Sequence, residues 1–300
     1  MVIGQQSLRI SKPRRIFVVV NYIFCTLVAI LCILPMIHIF ALSLSASEYV
    51  NSNSVGLWPV GFHTSAYTDL LGKTQFFVSM GISFKRVALG LIVNMTMIVL
   101  VAYPLSKPRA RFASRQVYVW FFIFSMLFSG GLIPIYLVVG ATGLINTIWA
   151  LVLPGAVPVM YVILLQNYMK ALPDEISESS FIDGAGHWRN MFQIILPLCK
   201  PSLAALGLFV VVGHWNEWFS GMIYMTNTKR FPLQSYLQTL IVDLSDVDIS
   251  YVDPEMITAR AAEASSRAAQ MFLAMIPILC VYPFLQKHFT KGIVMGSVKG

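Results

Sequence analysis

The chain has 300 residues, of which 57% are hydrophobic and only 11% charged. A soluble globular domain carries roughly 25% charged residues, so this composition excludes an ordinary water-facing fold and makes lipid the solvent for much of the chain. The formal net charge of +8 then reports membrane orientation before a nucleic-acid partner, and no basic stripe interleaved with aromatics lies outside the apolar runs.

In chain order, Arg9, Lys12, Arg14 and Arg15 precede an apolar run over 16–44. That run is about twice the length of a signal-peptide core, so it reads as an uncleaved membrane helix behind a cytoplasmic arm of residues 1–15. Further apolar runs cover about 80–104, 116–140, 143–166, 202–225 and 268–287, each near the roughly 20 residues a helix needs to cross the hydrocarbon core. Backbone polar groups must be satisfied within the segment in lipid, so the predicted class is all-α, a polytopic membrane protein with six transmembrane helices. Lys85 and Arg86 interrupt the second run and are placed at the outer interface, where their stems snorkel.

Basic residues sort the connections. The N-terminal arm, the link carrying Lys107, Arg109, Arg111 and Arg115, and the tail with Lys287, Lys291 and Lys299 hold no acid. The link between spans five and six holds Asp243, Asp246, Asp248, Asp253, Glu255 and Glu263 against Lys229, Arg230, Arg260 and Arg267. The positive-inside rule puts both termini and the 104–116 loop in the cytoplasm, with 45–79 and 226–267 outside as caps or short amphipathic helices. Ile257 to Phe272, "ITARAAEASSRAAQMF", is rich in helix formers and extends span six outward, as a solvated end or a docking surface. No solenoid repeat and no low-complexity segment is visible.

The connection between spans four and five is the most structured. Pro173 suits a first helical turn, and Asp174 and Glu175 complement its positive end. Ile176, Ser179, Ser180 and Asp183 share a face, apart from Glu178 and Phe181. Gly184 and Gly186 turn the chain. Trp188, Phe192 and Ile195 mark a second helix, which Pro197 and Pro201 stop before span five. The segment reads as helix, glycine turn, helix.

This stretch, "ESSFIDGAGHWRNMFQIILPLCKP" from Glu178 to Pro201, resembles the EAA loop of ABC-importer permease subunits. That motif runs Glu-Ala-Ala, three residues, Gly, nine residues, Ile, one residue, Leu-Pro. Glu178, Gly184, Ile194, Leu196 and Pro197 stand at the required spacing. Ser179 and Ser180 replace the two alanines, and Asp183-Gly184-Ala185 follows the sugar-type pattern. Met126 to Val159, His214 to Met225 and Gln286 to Gly300 resemble further parts of carbohydrate permeases, in the branch that includes lipoprotein-operon and alginate-type members. The resemblance implies a coupling loop over about 173–201, with Glu178, Ser179, Ser180, Phe181, Asp183, Gly184 and Ala185, then Ile194, Leu196 and Pro197, fitted to an ATP-binding subunit. It also implies a transmembrane permease domain over 16–300. The expected partners are a second permease, two ATP-binding cassette subunits that bind the ATP and Mg, and an extracytoplasmic solute-binding protein in a prokaryotic cell membrane. The cargo is an oligosaccharide or other carbohydrate, with an amino acid, polyamine or peptide as the alternative.

Glu217 lies inside the fifth span between Trp215, Asn216 and Trp218. An intramembrane carboxylate marks either a polar pathway or a buried pair, and Asn94 and Asn146 likewise read as ligand contacts or as helix-packing hydrogen bonds. Pro134, Pro154 and Pro158 mark kinks or packing irregularities, and Gly130-Gly131 permits close helix approach. Cys25, Cys32, Cys199 and Cys280 form no CxxC and read as small buried hydrophobes. "GKT" at Gly72 to Thr74 lacks the first P-loop glycine, because position 67 is Tyr67. His38, His63, His187, His214 and His288 show no metal spacing. No cofactor, metal or enzyme chemistry is expected of the chain. An ion-coupled secondary transporter predicts repeats and broken ion-binding helices, and no repetition is visible.

Overall fold

The structure is a computed structural model that describes residues 12–245 and 263–292. The acids Asp246, Asp248, Asp253 and Glu255, most of the N-terminal arm, the first part of the 257–272 segment and Lys299 lie outside the described residues. Among the described residues there is no strand, only an isolated antiparallel bridge between Ser45 and Phe62. The chain divides into two compact units, one of residues up to 72 together with 248–273, the other of 73–247 together with 274–300.

The first unit holds α1 (Lys12–Ser43), α2 (Ser47–Asn51), α3 (Ser65–Gly72) and the start of α13 (Ala264–Gly292). α1 is apolar around its circumference, and none of its most hydrophobic window is buried by the rest of the chain, as suits a helix solvated by lipid. Beyond α1, hydroxyls tie the turns together. Ser45 Oγ donates to Ala41 O at 2.7 Å and accepts from Val60 N at 3.0 Å, while Ser265 Oγ donates to Ser45 O at 2.6 Å. Phe40 and Phe272 pack at 4.6 Å.

The second unit is organised around α4 (Thr74–Ser106). Its buried residues Ser79, Ser83, Arg86, Gly90, Asn94, Ile98 and Ala102 recur every three or four positions, so one face of the helix is inward throughout. α5 (Arg115–Leu127) and α6 (Leu132–Ala141) follow, then short 3-10 turns at Ile148–Leu151 and Leu153–Gly155, and α7 (Val159–Lys170). α8 (Asp174–Ile182) and α9 (His187–Leu198, π-helical over Asn190–Ile195) lead into α10 (Lys200–Asn216), α11 (Phe219–Tyr224) and α12 (Leu233–Ser245).

Three helices are individually long and apolar enough to span a membrane, within α1, α4 and α13; up to six spans arise if each bent pair counts as one. The expected continuous span 116–140 is broken between α5 and α6 by 112°, at Gly131 with φ +90°, so the glycine pair makes a bend rather than a close helix contact. The 143–166 span is two 3-10 turns and α7 meeting at 49°, with Pro158 at the N-cap of α7. The 202–225 span is interrupted at Glu217 and Trp218. Pro197 lies in the last turn of α9 and Pro201 in the first turn of α10, where the N–H a proline lacks would be unpaired in any case. α13 starts at Ala264, one turn before the expected 268. Cys199 is buried, but Cys25, Cys32 and Cys280 are exposed: their apolar neighbourhoods are outer helix faces, not interior.

Candidate functional site

Two arrangements in the second unit are candidates for a functional site, the α8–α9 segment and a polar cavity. α8 opens with Asp174 and Glu175 in its first turn, and Pro173 is its N-cap. It closes in a Schellman motif. Ala185 N–H donates to Ser180 O at 2.9 Å and Gly184 N–H to Phe181 O at 3.1 Å, with Gly184 at φ +78°. A left-handed residue is required at that position, and glycine reaches it without a Cβ penalty.

The buried face of α8 is Ser177 and Ser180, so the shared face of Ile176, Ser179, Ser180 and Asp183 is only partly an inner one. Ser179 and Asp183 are exposed and Ile176 is half-buried. The helix is held on its inner side by polar groups. Tyr103 OH donates to Asn190 Oδ1 at 3.1 Å, Asn190 Nδ2 donates to Ser180 Oγ, and Ser180 Oγ donates to Ser177 O at 2.8 Å. Ser180 therefore does what an alanine there does not: it gives Asn190, fully buried on α9, an acceptor. Glu178 meets Arg111 Nη2 at 3.2 Å, and the same guanidinium lies 5.3 Å from the Phe181 ring. Lys107 Nζ donates to Ser177 Oγ at 3.3 Å and sits over Tyr103 at 4.5 Å. The basic 104–116 loop and the α8 segment thus occupy one end of this unit.

On α9, Met191 and Ile195 join Cys199 in a core with Ile98, Ala102, Val162, Leu165, Leu206 and Val210 from α4, α7 and α10. Ile194 and Leu196 are half-buried and Pro197 exposed. Trp188 and Phe192, two of the three apolar residues that mark this helix in the sequence, are exposed and stack on each other at 5.9 Å. The π-helical stretch shifts the register from the 3.6-residue period, so Asn190, Met191 and Ile195 turn inward instead. Ile182, 86% exposed, projects from the end of α8.

The second arrangement is a cavity of ≈ 410 Å³ whose lining includes Arg86, Asn94, Tyr161, His214, Glu217 and Ser220. Arg86 is 3% exposed and forms an ion pair with Glu217. It also donates to Glu217 O at 2.9 Å, Ser220 Oγ at 2.9 Å and Leu151 O at 3.4 Å. Arg86 thus does not snorkel as expected: a charge of opposite sign 131 positions later holds it inside the chain, while Lys85 remains exposed. Two turns along α4, Asn94 Nδ2 donates to Gly155 O at 2.6 Å and Ala156 O at 3.0 Å, and its Oδ1 accepts from His214 Nε2 at 2.7 Å.

The four carbonyls engaged, at 151, 155, 156 and 217, all stand where helical pieces end. Such carbonyls have no intrahelical partner, and hydrocarbon offers none. Two polar side chains on one face of α4 supply the missing donors, so the broken helices are stapled to an unbroken one. Of Asn94 and the run Trp215, Asn216, Glu217 and Trp218, candidates for a substrate path, Asn94 and Glu217 line the cavity. Trp215 is buried, with Nε1 donating to Ala274 O at 3.2 Å and its ring 5.2 Å from Phe84. Asn216 and Trp218 are exposed and outside the lining. Asn146 sits at φ +64° and bonds through its backbone to Tyr224 O and Arg230.

Sequence reasoning passed over Arg86, His214, Ser220, Ser177 and Asn190. A usable signal existed for Arg86: Ser79, Ser83, Arg86, Gly90 and Asn94 form a small and polar stripe at helical spacing within an apolar run.

Comparison with known proteins places the chain in a family. The chain is 39% identical over 290 residues to Protein LplC of Bacillus subtilis (strain 168), covering 97% of both chains. It is 35% identical to the polygalacturonan/rhamnogalacturonan transport system permease protein YtcP of the same organism, over 95% of this chain and 99% of that one. Among solved structures, a chain of a bacterial ABC transporter involved in import of the acidic polysaccharide alginate superposes with a TM-score of 0.81 at 30% identity, over 93% of this chain and 98% of that chain. Residues 94–295, which hold the stapled cavity from Asn94 onward and the whole α8–α9 segment, match the family described as binding-protein-dependent transport system inner membrane component, and the chain belongs to that family.

Proposed function

We propose that the chain is one of two permease subunits of an ATP-driven importer of oligosaccharides or other carbohydrates in a prokaryotic cell membrane. The observation that carries the reading is the α8–Gly184–α9 unit. It is fixed inwardly to α4, α7 and α10, yet presents Ile182, Asp183 and Gly184 outward. In this reading residues 16–300 form the permease domain behind a cytoplasmic arm of 1–15. Each bent pair counts as one span, giving six, with both termini and residues 173–201 cytoplasmic. The basic 104–116 loop beside Glu178 supports that sidedness.

Two ATP-binding subunits bind the ATP and Mg and drive the cycle; this chain performs no catalysis. A nucleotide-dependent partner shifts the packing of the spans only by its differential affinity for their two states. The exposed end of α8 receives that difference, and the Tyr103–Asn190–Ser180 chain with the core below it passes it to α4 and α10. A second permease completes the path, and an extracytoplasmic solute-binding protein delivers the cargo. Carbohydrate cargo is supported by the polysaccharides named for YtcP and for the alginate transporter.

The test is co-purification with the second permease and candidate ATP-binding subunits, followed by ATP turnover in lipid as binding protein and cargo are added. Oligosaccharide-loaded binding protein is expected to raise turnover by about fivefold or more, the scale of an ordinary coupling free energy. Stimulation by amino acids or peptides alone, or uptake driven by an ion gradient without ATP, overturns the reading.

A further inference from the structure

A groove of ≈ 420 Å³ lies where the C-terminal end of α4 meets the start of α9. Leu100, Tyr103 and Trp188 line it together with Lys107, Arg111 and His187. None of the three basic residues is buried. Arg111 has Glu178 as its partner, whereas Lys107 meets Ser177 Oγ and the Tyr103 ring, neither of which carries charge. Partial burial and the neighbouring Arg111 hold the Lys107 ammonium below the ordinary lysine range, with Asp174 opposing them. The surface thus places cations at one end of an apolar trough. On α4, Met97 stands about one turn before Leu100 and is also exposed. An amphiphile with an anionic head and an apolar tail has this pattern of charge and hydrophobicity, and a phosphate head gains most from a cluster of Lys, Arg and His.

We infer that this groove is a binding site for an anionic phospholipid. The headgroup phosphate meets Lys107, Arg111 and His187, and an acyl chain runs along Leu100 and Met97. Trp188 closes the side, an aromatic at the depth where the apolar span ends. Because Trp188 and His187 belong to α9, an occupied site ties the α8–α9 segment to the lipid surface. The inference rests on the membrane placement of the spans proposed above, with Lys107 just beyond the span of α4.

The experiment uses the full chain with its partner subunits in nanodiscs containing a photoactivatable phosphatidylglycerol, or the phosphatidylcholine analogue in a matched set, each with its diazirine near the head. Crosslinked peptides are mapped by mass spectrometry. Phosphatidylglycerol is expected to label the peptides of Leu100, Tyr103 and Trp188 well above phosphatidylcholine. Lys107→Gln and His187→Gln are each expected to lower that labelling, by about fivefold for the lysine. Leu100→Trp, which fills the trough without changing charge, abolishes it. Equal labelling by both lipids, labelling indifferent to these variants, labelling lost when glycerol phosphate is added in solution, or a groove protected by the ATP-binding subunits each overturns the inference. Labelling of α1 by both lipids is the internal reference. If α1 is labelled and the groove is not, only the lipid site fails; if α1 is not labelled, the membrane placement itself fails.

Discussion

Arg86 and Glu217 illustrate what a charge costs in this protein and what it does in return. Removing one member of a buried ion pair typically costs about 3–5 kcal/mol, because the other charge stays behind uncompensated. The Glu217 side chain is 35% exposed, and cavity water tempers that penalty. Arg86→Leu is therefore expected to lower stability by about 2–3 kcal/mol, measured as thermal unfolding in detergent. Arg86→Met combined with Glu217→Gln is expected to recover at least half of that loss, since neutral partners leave no orphaned charge; strictly additive losses would refute the pairing. Gly90 bears on the same cluster. A methyl there overlaps the His214 ring, so Gly90→Ala displaces the imidazole from Asn94 and is expected to cost about 1–3 kcal/mol. Glu217 as a buried pair was one of two readings open in the sequence. Its partner was not legible, because a contact across 131 positions leaves no local pattern, and the position of Arg86 in an apolar run fitted snorkelling equally well.

At the scale of elements, the helix-turn-helix between α7 and α10 was largely legible, because its determinants are local. Gly184 needs only its own φ and the helix before it, and the spacing from Glu178 to Pro197 is written along the chain. The inner face was not legible. A π-helical stretch moves Asn190, Met191 and Ile195 inward and leaves Trp188 and Phe192 outside, and no 3.6-residue period contains that shift. The proline at 158 marked one bend in advance, but the breaks at Gly131 and Glu217 were hidden for a related reason: hydropathy averages over a window and does not register where its backbone bends. Gly184 gives the sharpest test of the element. Nothing lies within 4 Å of a Cβ built there, so the cost of substitution is conformational. Gly184→Asn, which tolerates the left-handed region, is expected to keep most ATP-coupled transport. Gly184→Pro cannot reach φ +78° and is expected to abolish coupling while leaving membrane insertion intact. Normal uptake by the proline variant would remove the turn from the mechanism.

For the whole molecule, the proposed topology and the largely exposed apolar surface of α1 predict a sidedness that chemistry can read. Asp183 stands exposed at the end of α8, and Asn53 stands exposed in the loop after α2. In the proposed topology the first faces the cytoplasm and the second the outside. With Cys25, Cys32, Cys199 and Cys280 replaced by serine or alanine, Asn53→Cys in intact cells is expected to react with a membrane-impermeant maleimide, and Asp183→Cys only after the membrane is opened. The natural cysteines extend the test to depth. Cys25 and Cys32 lie on α1, exposed yet surrounded by apolar side chains, so in the native chain they should resist the impermeant reagent from both sides and yield to a lipid-soluble one. Ready labelling of both by the impermeant reagent would put α1 in water. The chain's exposed hydrophobic surface, from Ile16 through Ile37, would then need a protein to cover it, because lipid is the only other solvent in which so long an apolar helix stands alone.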